Sequence, residues 1–375
     1  MVAPGTSSIA TTRLDHLRAN LGAVRARVGG RAVLAAVKAD SYGHGAVEVS
    51  RMIERTGAAD WLGVATVGEG LELRAAGITL PVLKLSVARG EEVAAAVAAG
   101  LTLCVVDEDS ILEAGAAATA LGTTASVHLK VDTGMRRIGC EPELAPSLAQ
   151  RVDATPGVLL EGLFSHLPIS DSPRGEEFTR GQVELFARTA REVEAARGPV
   201  PLKHLANSGA VLGHPDTWFD LVRPGIMIYG AYPDPEAART VPLLPALEWR
   251  TRVSFVKRVV AGETVGYGRT WTAPRDTWIA TVPVGYGDGY SRLLSNRGRM
   301  LVRGRSYPIA GRVCMDQTMI DLGPDTDVTV GDEVVLVGRS GTDEITTSEI
   351  AGLMGTIPYE VTCLITRRVG RETVG

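Results

Sequence analysis

The sequence predicts a (β/α)8 TIM-type barrel, an α/β fold, followed by a mostly β C-terminal domain. Between residues 32 and 224, short apolar runs rich in Val, Leu and Ala alternate with stretches of helical spacing. Continuous apolar runs are typical of parallel strands covered on both faces, and eight strand–helix repeats in about 240 residues indicate a closed barrel. Beyond Pro242 the apolar period becomes two, which indicates half-exposed antiparallel strands.

The barrel elements follow in order from the N-terminus. One helix is predicted before the first strand, because apolar residues recur there at steps of three and four and a Gly-Gly pair follows them: Leu14, Leu17, Leu21, Val24 and Val28. Eight apolar runs then predict the strands: residues 32–38, 61–66, 81–86, 101–107, 126–132, 158–166, 202–207 and 219–224.

The second domain is predicted from alternating residues. The stretch "ALEWRTRVSFVKRV" predicts one strand with a common apolar side formed by Leu247, Trp249, Thr251, Val253 and Phe255. Further short runs after it are separated by Gly and Asp turns. We therefore predict a (β/α)8 barrel over residues 1–242 and a mainly β domain over residues 243–375.

Composition excludes several functions. The net charge is −4 and no basic cluster stands out, which argues against nucleic-acid binding. The four cysteines are far apart without a CxxC spacing, and the six histidines include no HExxH pair, so we expect no metal site. No cationic, apolar leader and no run of 18 apolar residues is present, so we expect a cytoplasmic protein without a membrane span.

Five polar residues are predicted at the carboxyl ends of barrel strands, where barrels of this type place their chemistry. They are Lys38, Lys130, His166, Asn207 and Arg223. Each alone has a structural explanation: a solvated lysine, a hydrogen-bonded core histidine, a turn-forming asparagine or half of a surface ion pair. Their convergence at one end of a barrel favours a functional site instead.

The loops after strands seven and eight predict a phosphate site. "ANSGAVLGHP" and "RPGIMIYG" offer small residues beside predicted helix starts, where backbone N–H groups can bind phosphate. Ser208 adds a hydroxyl and Gly225 allows close approach, although ordinary turns have the same composition. A phosphate site together with the strand-end Lys38 suggests pyridoxal phosphate held as a Schiff base.

Eight motifs make the sequence resemble the alanine racemase family, and they extend from residue 12 to about residue 370 in the same order. They are "AVKADSYGHG", "HLKVDTGMRRIG", "HLANS", "VRPGIMIYG", "VGYGRTW", "VPVGYGDGY", "GRVCMDQ" and "TIPYE". The later motifs, especially "VGYGRTW" and "CMDQ", separate this family from decarboxylases and single-domain cofactor carriers. The resemblance implies a pyridoxal-phosphate barrel followed by a β domain.

The resemblance also implies roles for individual residues. Lys38 would form the Schiff base with pyridoxal 5'-phosphate and act as one catalytic base, and Tyr267 would be the second base. Arg223 would face the pyridine nitrogen of the cofactor. The other implied cofactor contacts are Tyr42, His166, Asn207, Ser208, Gly225, Ile226 and Tyr359.

The implied substrate site includes Arg137, Met315 and Asp316, with Tyr286 and Arg292 in or behind the substrate entrance. Relatives usually have Gly where this chain has Arg136, so Arg136 is an alternative to Arg137. Lys130 aligns with a lysine that is often carbamylated in the family, and a solvated lysine remains the alternative.

The function implied is racemisation of L- and D-alanine, which supplies D-alanine for cell-wall peptidoglycan. The resemblance also implies a two-fold homodimer in which each β domain supplies Tyr267 and Met315 to its partner's barrel. Alternatives are a racemase of broader or other specificity, such as serine or lysine, and a non-catalytic pyridoxal-phosphate-binding regulator. A decarboxylase on the same fold would release carbon dioxide.

Overall fold

A computed structural model describes residues 7–375 and confirms the predicted fold class. Eight parallel strands form one sheet. When the strands are numbered one to eight in chain order, hydrogen-bonded neighbours across the sheet occur in the order seven, six, five, four, three, two, one, eight. All eight predicted strands occur, and most end before the predicted residue. In chain order the barrel strands are Ala32–Ala36, Trp61–Val64, Val82–Val87, Thr102–Val105, Ala125–Lys130, Val158–Phe164, Leu202–His204 and Leu221–Val222.

Two backbone hydrogen bonds nearly close the barrel between its seventh and eighth strands. The Asp220 N–H donates to the Lys203 carbonyl oxygen at 3.0 Å, and the Arg223 N–H donates to the Ala206 carbonyl oxygen at 2.9 Å. Strand eight also pairs in parallel with strand one. Because all eight strands run in the same direction, the residues that follow them gather at one edge of the barrel.

Helices follow or precede the barrel strands. The predicted N-terminal helix is confirmed as Leu14–Val28, and its five predicted apolar residues are all buried. Thr66 and Glu69 form a capping box at the start of Val67–Ala75, which satisfies N–H groups at that helix end. The other helices of this region are Lys38–Gly43, Ala46–Thr56, Glu91–Ala98, Glu108–Leu121, Ala145–Ala154, Glu176–Arg197 and Ser208–Gly213.

The C-terminal region is mostly β, as predicted. It contains two helices, Thr347–Met354 and Pro358–Leu364. Its strands are Leu247–Arg252, Phe255–Val259, Thr264–Val265, Trp271–Thr272, Thr277–Val282, Arg299–Val302, Arg305–Pro308, Thr318–Gly323, Glu333–Ser340, Asp343–Ile345 and Gly370–Val374. A buried apolar cluster that includes Trp249, Leu301 and Leu336 forms the core of this region.

The strand predicted through Phe255 is wrong in its second half. The structure has one strand, Leu247–Arg252, that pairs with Glu333–Ser340, and a separate strand, Phe255–Val259, that pairs with Thr277–Val282. The chain changes sheets at Val253 and Ser254. As a result Phe255 is exposed rather than part of the predicted apolar side.

The described chain forms two compact units. The barrel unit comprises Leu17–Ser41 and Ala46–Leu243, and the β-rich unit comprises Tyr42–Gly45, Leu244–Gly375 and the described residues up to His16. An N-terminal strand that the sequence did not predict, Ile9–Arg13, pairs with Leu247–Arg252 in the β-rich unit. The division into residues 1–242 and 243–375 stays a prediction. Within residues 7–375, no helix is both long and apolar enough to cross a bilayer.

Candidate active site

Lys38 lies just beyond the first barrel strand and begins an unusual turn. The next four residues, Ala39 to Tyr42, have φ between 51° and 54°, so the segment Lys38–Gly43 is wound to the left. The Ser41 N–H donates to the Val37 carbonyl oxygen at 2.9 Å. A left-handed turn costs about 1–2 kcal/mol per non-glycine residue and persists only where surrounding structure fixes it. The backbone that follows Lys38 is therefore held in a strained, specific path.

Tyr42 ends this turn within the β-rich unit. Its side chain is buried, burial raises its pKa, and its ring centre lies 5.7 Å from that of Tyr359. Gly43 has φ of +79°, and a Cβ there would lie 2.4 Å from the Thr362 carbonyl oxygen, so the position requires glycine. The structure thus brings together two of the implied cofactor contacts, Tyr42 and Tyr359.

Arg223 is a buried cation whose side chain is largely fixed by hydrogen bonds. One terminal nitrogen, Nη2, donates to the carbonyl oxygens of Ser165 at 2.6 Å and Leu205 at 3.0 Å, while Nη1 lies 2.8 Å from His204 Nδ1. Burial lowers the pKa of Arg223 to about 9, which still leaves the guanidinium charged at neutral pH. Its Nε makes no hydrogen bond to any of residues 7–375 and remains able to donate.

His166 lies beside this cation, with its Nδ1 3.4 Å from Arg223 Nη2. Burial, followed by the charges of Arg223, Lys130, Arg137 and Lys38, lowers the pKa of His166 well below its usual value. The ring is therefore neutral at physiological pH. All four cations end or follow a barrel strand, so they belong to the carboxyl edge of the barrel.

Lys130 is a buried amine rather than a solvated one. Its Nζ donates to the Leu85 carbonyl oxygen at 3.2 Å and lies 4.9 Å from the centre of the Phe164 ring. Burial, with smaller effects of Arg223, Arg137 and Lys38, lowers the pKa of Lys130 to about 8. A substantial neutral fraction at mildly alkaline pH follows, which makes the amine nucleophilic.

The loops after strands seven and eight are joined by Ser208. Its Oγ accepts hydrogen bonds from the N–H groups of Gly225 at 2.8 Å and Met227 at 3.5 Å. Ile226 begins the 3-10 turn Ile226–Tyr229, so its N–H has no acceptor within that turn. Asn207 caps the helix Ser208–Gly213 by accepting from the Ala210 N–H at 3.1 Å, which is the turn-forming role considered for it above.

Two neighbouring arginines follow the fifth strand, and they differ in environment. Arg136 has φ of +54° and donates to Glu141 at 2.8 and 3.0 Å. This left-handed backbone is one that glycine adopts more readily than arginine. Arg137 forms no hydrogen bond or ion pair within the described chain, although its charge acts on Lys130 and His166. Arg137 is therefore the arginine with donors left for a ligand.

The β-rich unit carries a separate pocket of about 440 Å³. Three predicted residues line it, Tyr267, Tyr286 and Arg292, together with Gly268, Val313 and two residues that the sequence analysis missed, Arg312 and Cys314. Tyr267 is 74% exposed and lies between Gly266 and Gly268, both with positive φ. The turn therefore presents the Tyr267 phenol on the surface of the unit.

Met315 and Asp316 lie beside this pocket in sequence. Met315 is 52% exposed, and its carbonyl oxygen accepts from the Gly287 N–H at 2.9 Å. Asp316 pairs with Arg368 at 2.7 Å, so one carboxylate oxygen already has a cationic partner. Both side chains are exposed, and the Met315 thioether forms no hydrogen bond or ion pair within residues 7–375.

Sequence reasoning also missed two buried histidines of the barrel interior, His128 and His204. A signal for the first was present, because His128 precedes Lys130 by two residues and side chains two apart share a face of a strand. His204 lies in the "HLANS" motif, but only its asparagine and serine were selected.

Known proteins resemble this chain along almost its entire length. The family models described as alanine racemase N-terminal and C-terminal domains match residues 12–233 and 246–373. A protein named alanine racemase from Cutibacterium acnes is 55% identical over 362 residues, which cover 96% of each chain. The solved alanine racemase of Clostridium difficile 630 has 35% identity and a TM-score of 0.93, covering 99% of this chain and 97% of its own.

A second solved structure extends this likeness. The alanine racemase of D-cycloserine-producing Streptomyces lavendulae is 38% identical with a TM-score of 0.93, covering 100% of this chain and 98% of its own. The two family models together match residues of both the barrel unit and the β-rich unit. From this agreement in sequence and fold, the chain belongs to the alanine racemase family.

Proposed function

We propose that this chain is an isomerase that interconverts L-alanine and D-alanine with pyridoxal 5'-phosphate as its cofactor. The observation that carries the proposal is Arg223, a buried cation that forms no ion pair with a carboxylate among residues 7–375. A cation beside the ring nitrogen of the cofactor disfavours protonation of that nitrogen, whereas a carboxylate favours it. This arrangement favours return of a proton to the α-carbon over transamination.

The donor groups of the barrel unit fit this cofactor. The Lys38 amine can bind its aldehyde carbon, and the unused Nε–H of Arg223 can donate to its ring nitrogen. The Ile226 N–H and the Ser208 hydroxyl suit phosphate oxygens, and the neutral His166 ring offers a flat surface. When bound, the cofactor supplies the electron-withdrawing ring that acidifies the α-hydrogen of an amino acid.

Racemisation requires a proton to leave one face of the α-carbon and another to arrive on the opposite face. We assign these tasks to the amine of Lys38 and the phenol of Tyr267, because a single base serves only one face. Arg137, with its free donors, would hold the substrate carboxylate. Met315 and Asp316 would line the substrate site, and Tyr286 and Arg292 would lie in or behind its entrance.

We also propose that Lys130 is carbamylated. A neutral amine attacks carbon dioxide, forms a nitrogen–carbon bond and releases a proton, so the lowered pKa of Lys130 favours the reaction. The resulting anion would remove the repulsion between Lys130 and Arg137 and could accept hydrogen bonds from that arginine. An intact mass that shows unmodified Lys130 in active enzyme would contradict this assignment.

The activity is tested by incubating the purified chain and cofactor with L-alanine and separating the enantiomers. We expect D-alanine to appear, and the reverse reaction to approach the same mixture. A parallel panel of serine, lysine and other L-amino acids measures specificity. Absence of D-alanine from protein with bound cofactor would contradict the proposal, and carbon dioxide release would indicate a decarboxylase.

We further propose a cytoplasmic homodimer in which residues 1–242 bind the cofactor and residues 243–375 supply Tyr267 to the partner's barrel. Its product would feed peptidoglycan synthesis. The exposure of Tyr267 and Met315 in the single chain supports such an arrangement, because catalytic acid–base groups work best where water is excluded. Two-fold dimers are also the commonest closed assembly.

Subunit exchange tests the shared site. Mixing Lys38→Ala with Tyr267→Phe gives heterodimers in which a trans arrangement leaves one site with both intact bases and the other with neither. A cis arrangement leaves one defect in every site. We expect activity to return on mixing, and verified heterodimers without activity would refute the trans arrangement.

A further inference from the structure

Two histidine side chains connect Arg223 through the barrel interior to a glutamate. Arg223 Nη1 lies 2.8 Å from His204 Nδ1, and His204 Nε2 lies 2.9 Å from His128 Nδ1. His128 Nε2 then faces Glu161 Oε2 at 3.7 Å, which is within electrostatic reach but too long for a hydrogen bond. We call these four residues the Arg223–Glu161 relay.

The direction of every proton in the relay follows from its first member. Arginine has no acceptor, so His204 Nδ1 must accept from Arg223 and the proton of His204 must be on Nε2. That proton is donated to His128 Nδ1, which places the proton of His128 on Nε2, facing Glu161. Both rings are therefore neutral and share the same tautomer.

The electrostatic surroundings agree with neutral rings. Burial first, then the charges of Arg223 and Lys130 and the neighbouring His128, lower the pKa of His204 well below its usual value. Burial also lowers the pKa of His128, with Arg223 acting in the same direction and Glu161 opposing it. Neither imidazole should carry a charge at physiological pH.

The sixth strand is shaped to accommodate the relay. Val127 pairs with Leu160 and His128 pairs with Gly162, so Glu161 is an extra residue in a β-bulge. A Cβ on Gly162 would lie 2.6 Å from His128 Nδ1, so glycine makes room for that ring. The bulge and the glycine together place a carboxylate and an imidazole side by side.

Aromatic rings fix the two imidazoles. The Phe164 ring stacks on His204 with centres 4.8 Å apart and planes 2° from parallel. Trp61 lies against His128 at 5.4 Å. The rings are thus held in place, and their remaining freedom is the position of their protons.

Glu161 is the negative end of this relay. Thr102 Oγ1 donates to its carboxylate at 3.3 Å, and its side chain is 29% exposed. His128 Nε2 is fully buried and has no hydrogen-bond partner among residues 7–375. The Glu161 carboxylate is therefore the group that offsets the polarity of this buried N–H.

We propose that Glu161 is a positioning residue that acts through His128 and His204 to keep an acceptor facing Arg223 Nη1 and so leaves Arg223 Nε directed at the cofactor. The inference rests on the proposed function only for the identity of the group that accepts a hydrogen bond from Arg223 Nε–H. Glu161 itself does not touch the reacting atoms.

Loss of the Glu161 acceptor should destabilise the arrangement in which both histidines carry their proton on Nε2. An N–H of His128 without an acceptor is costly in a dry interior, so its proton can move to Nδ1. That proton would oppose His204 Nε2–H and drive the His204 proton onto Nδ1, against Arg223. Two hydrogen-bond donors, His204 Nδ1–H and Arg223 Nη1–H, would then face each other, and their repulsion would displace the guanidinium.

The test compares Glu161→Leu, which removes charge and acceptor, with Glu161→Gln, which keeps an acceptor oxygen. Glu194→Gln is the matched control, since Glu194 is similarly exposed at 31% and pairs with Lys203 outside the relay. Ring-nitrogen NMR shifts of the cofactor-loaded proteins, assigned with His128→Asn and His204→Asn, report the tautomers directly. The absorbance of the bound cofactor and kcat and KM provide further readouts.

We expect both wild-type rings to be neutral with the proton on Nε2. Glu161→Leu should populate the Nδ1–H tautomer, shift the cofactor absorbance and lower kcat about tenfold, with Glu161→Gln between it and the wild type. A charged or Nδ1–H His128 in the wild type would overturn the proposal, as would unchanged tautomers in both Glu161 variants. If Glu161→Leu does not fold, the histidine tautomers of the wild type and of Glu161→Gln still test the proposal. Because tautomers are read without substrate, a failure of racemase activity alone would refute only the proposed function.

Discussion

The barrel unit and the β-rich unit present their chemical groups in opposite ways. In the barrel, Arg223 is 6% exposed and Lys130 is 5% exposed, and burial lowers the pKa of each. In the β-rich unit, Tyr267 is 74% exposed in a turn between two glycines. The barrel therefore controls protonation by excluding water, whereas the β-rich unit displays a phenol that the single chain leaves in water.

The two units therefore differ in how completely each surrounds its own chemical groups. The barrel interior already contains its hydrogen-bond partners, including the relay that ends at Glu161. Tyr267 and Met315 lack such surroundings and need a covering surface before they can act in a dry site. Variants of the two units should consequently fail in different ways.

The largest effect is expected from Lys38→Ala in the barrel unit. Removal of the amine abolishes both covalent attachment of the cofactor and one base, so activity should fall by about 10⁴-fold or more. Racemase assays and intact mass after borohydride reduction measure the two losses. Lys84→Met is a useful control for removal of another barrel amine, because Lys84 Nζ donates only to its own strand end. Covalently bound cofactor in the Lys38→Ala variant would contradict the assignment of Lys38 as the attachment site.

A pH-dependent change in stability is expected from Lys130. Its folded pKa of about 8 lies below the usual 10.5, so between these values the unfolded chain binds more protons and stability rises with pH. The rise should be about 3 kcal/mol for a fully buried amine. Denaturant titrations in buffer free of carbon dioxide should show it in the wild type but not in Lys130→Met. Equal pH dependence in the two proteins would mean that Lys130 is not a desolvated ammonium.

A smaller effect should separate Arg137 from its neighbour Arg136, both of which are exposed. Arg137→Ala should lower kcat/KM about 10- to 100-fold, because it removes a charged hydrogen bond to substrate. Arg136→Ala should leave kcat/KM within about twofold, since Arg136 is paired with Glu141 at the surface. Steady-state kinetics with alanine measure both variants. The opposite ranking would move the substrate contact to Arg136.

Much of the barrel could be predicted because its strands are continuous apolar runs and its N-terminal helix has a regular apolar face. The sheet change at Val253 was not predictable, because the period of two continues across it while the pairing partner changes. The N-terminal strand Ile9–Arg13 was missed since its partners lie more than 200 residues away. Local patterns do not encode such long-range pairing.

The site was predicted less completely than the fold. Lys38 and Arg223 were selected as polar residues that end apolar runs, a signal that local sequence carries. The left-handed turn of Ala39 to Tyr42 was missed, because it contains residues that rarely adopt positive φ and depends on tertiary structure. His128 and His204 were missed because their importance arises from distances between strands rather than from spacing along one strand.

In the proposed mechanism, Lys38 and Tyr267 act on opposite faces of the α-carbon. Tyr267→Phe removes only the phenol oxygen of an exposed side chain, so the variant should stay folded and should retain the cofactor. Proton NMR of each alanine enantiomer in heavy water then reads α-hydrogen exchange face by face. We expect Tyr267→Phe to exchange the α-hydrogen of one enantiomer through Lys38, while racemisation is nearly lost. Equal exchange of both enantiomers, or undiminished racemisation, would contradict it.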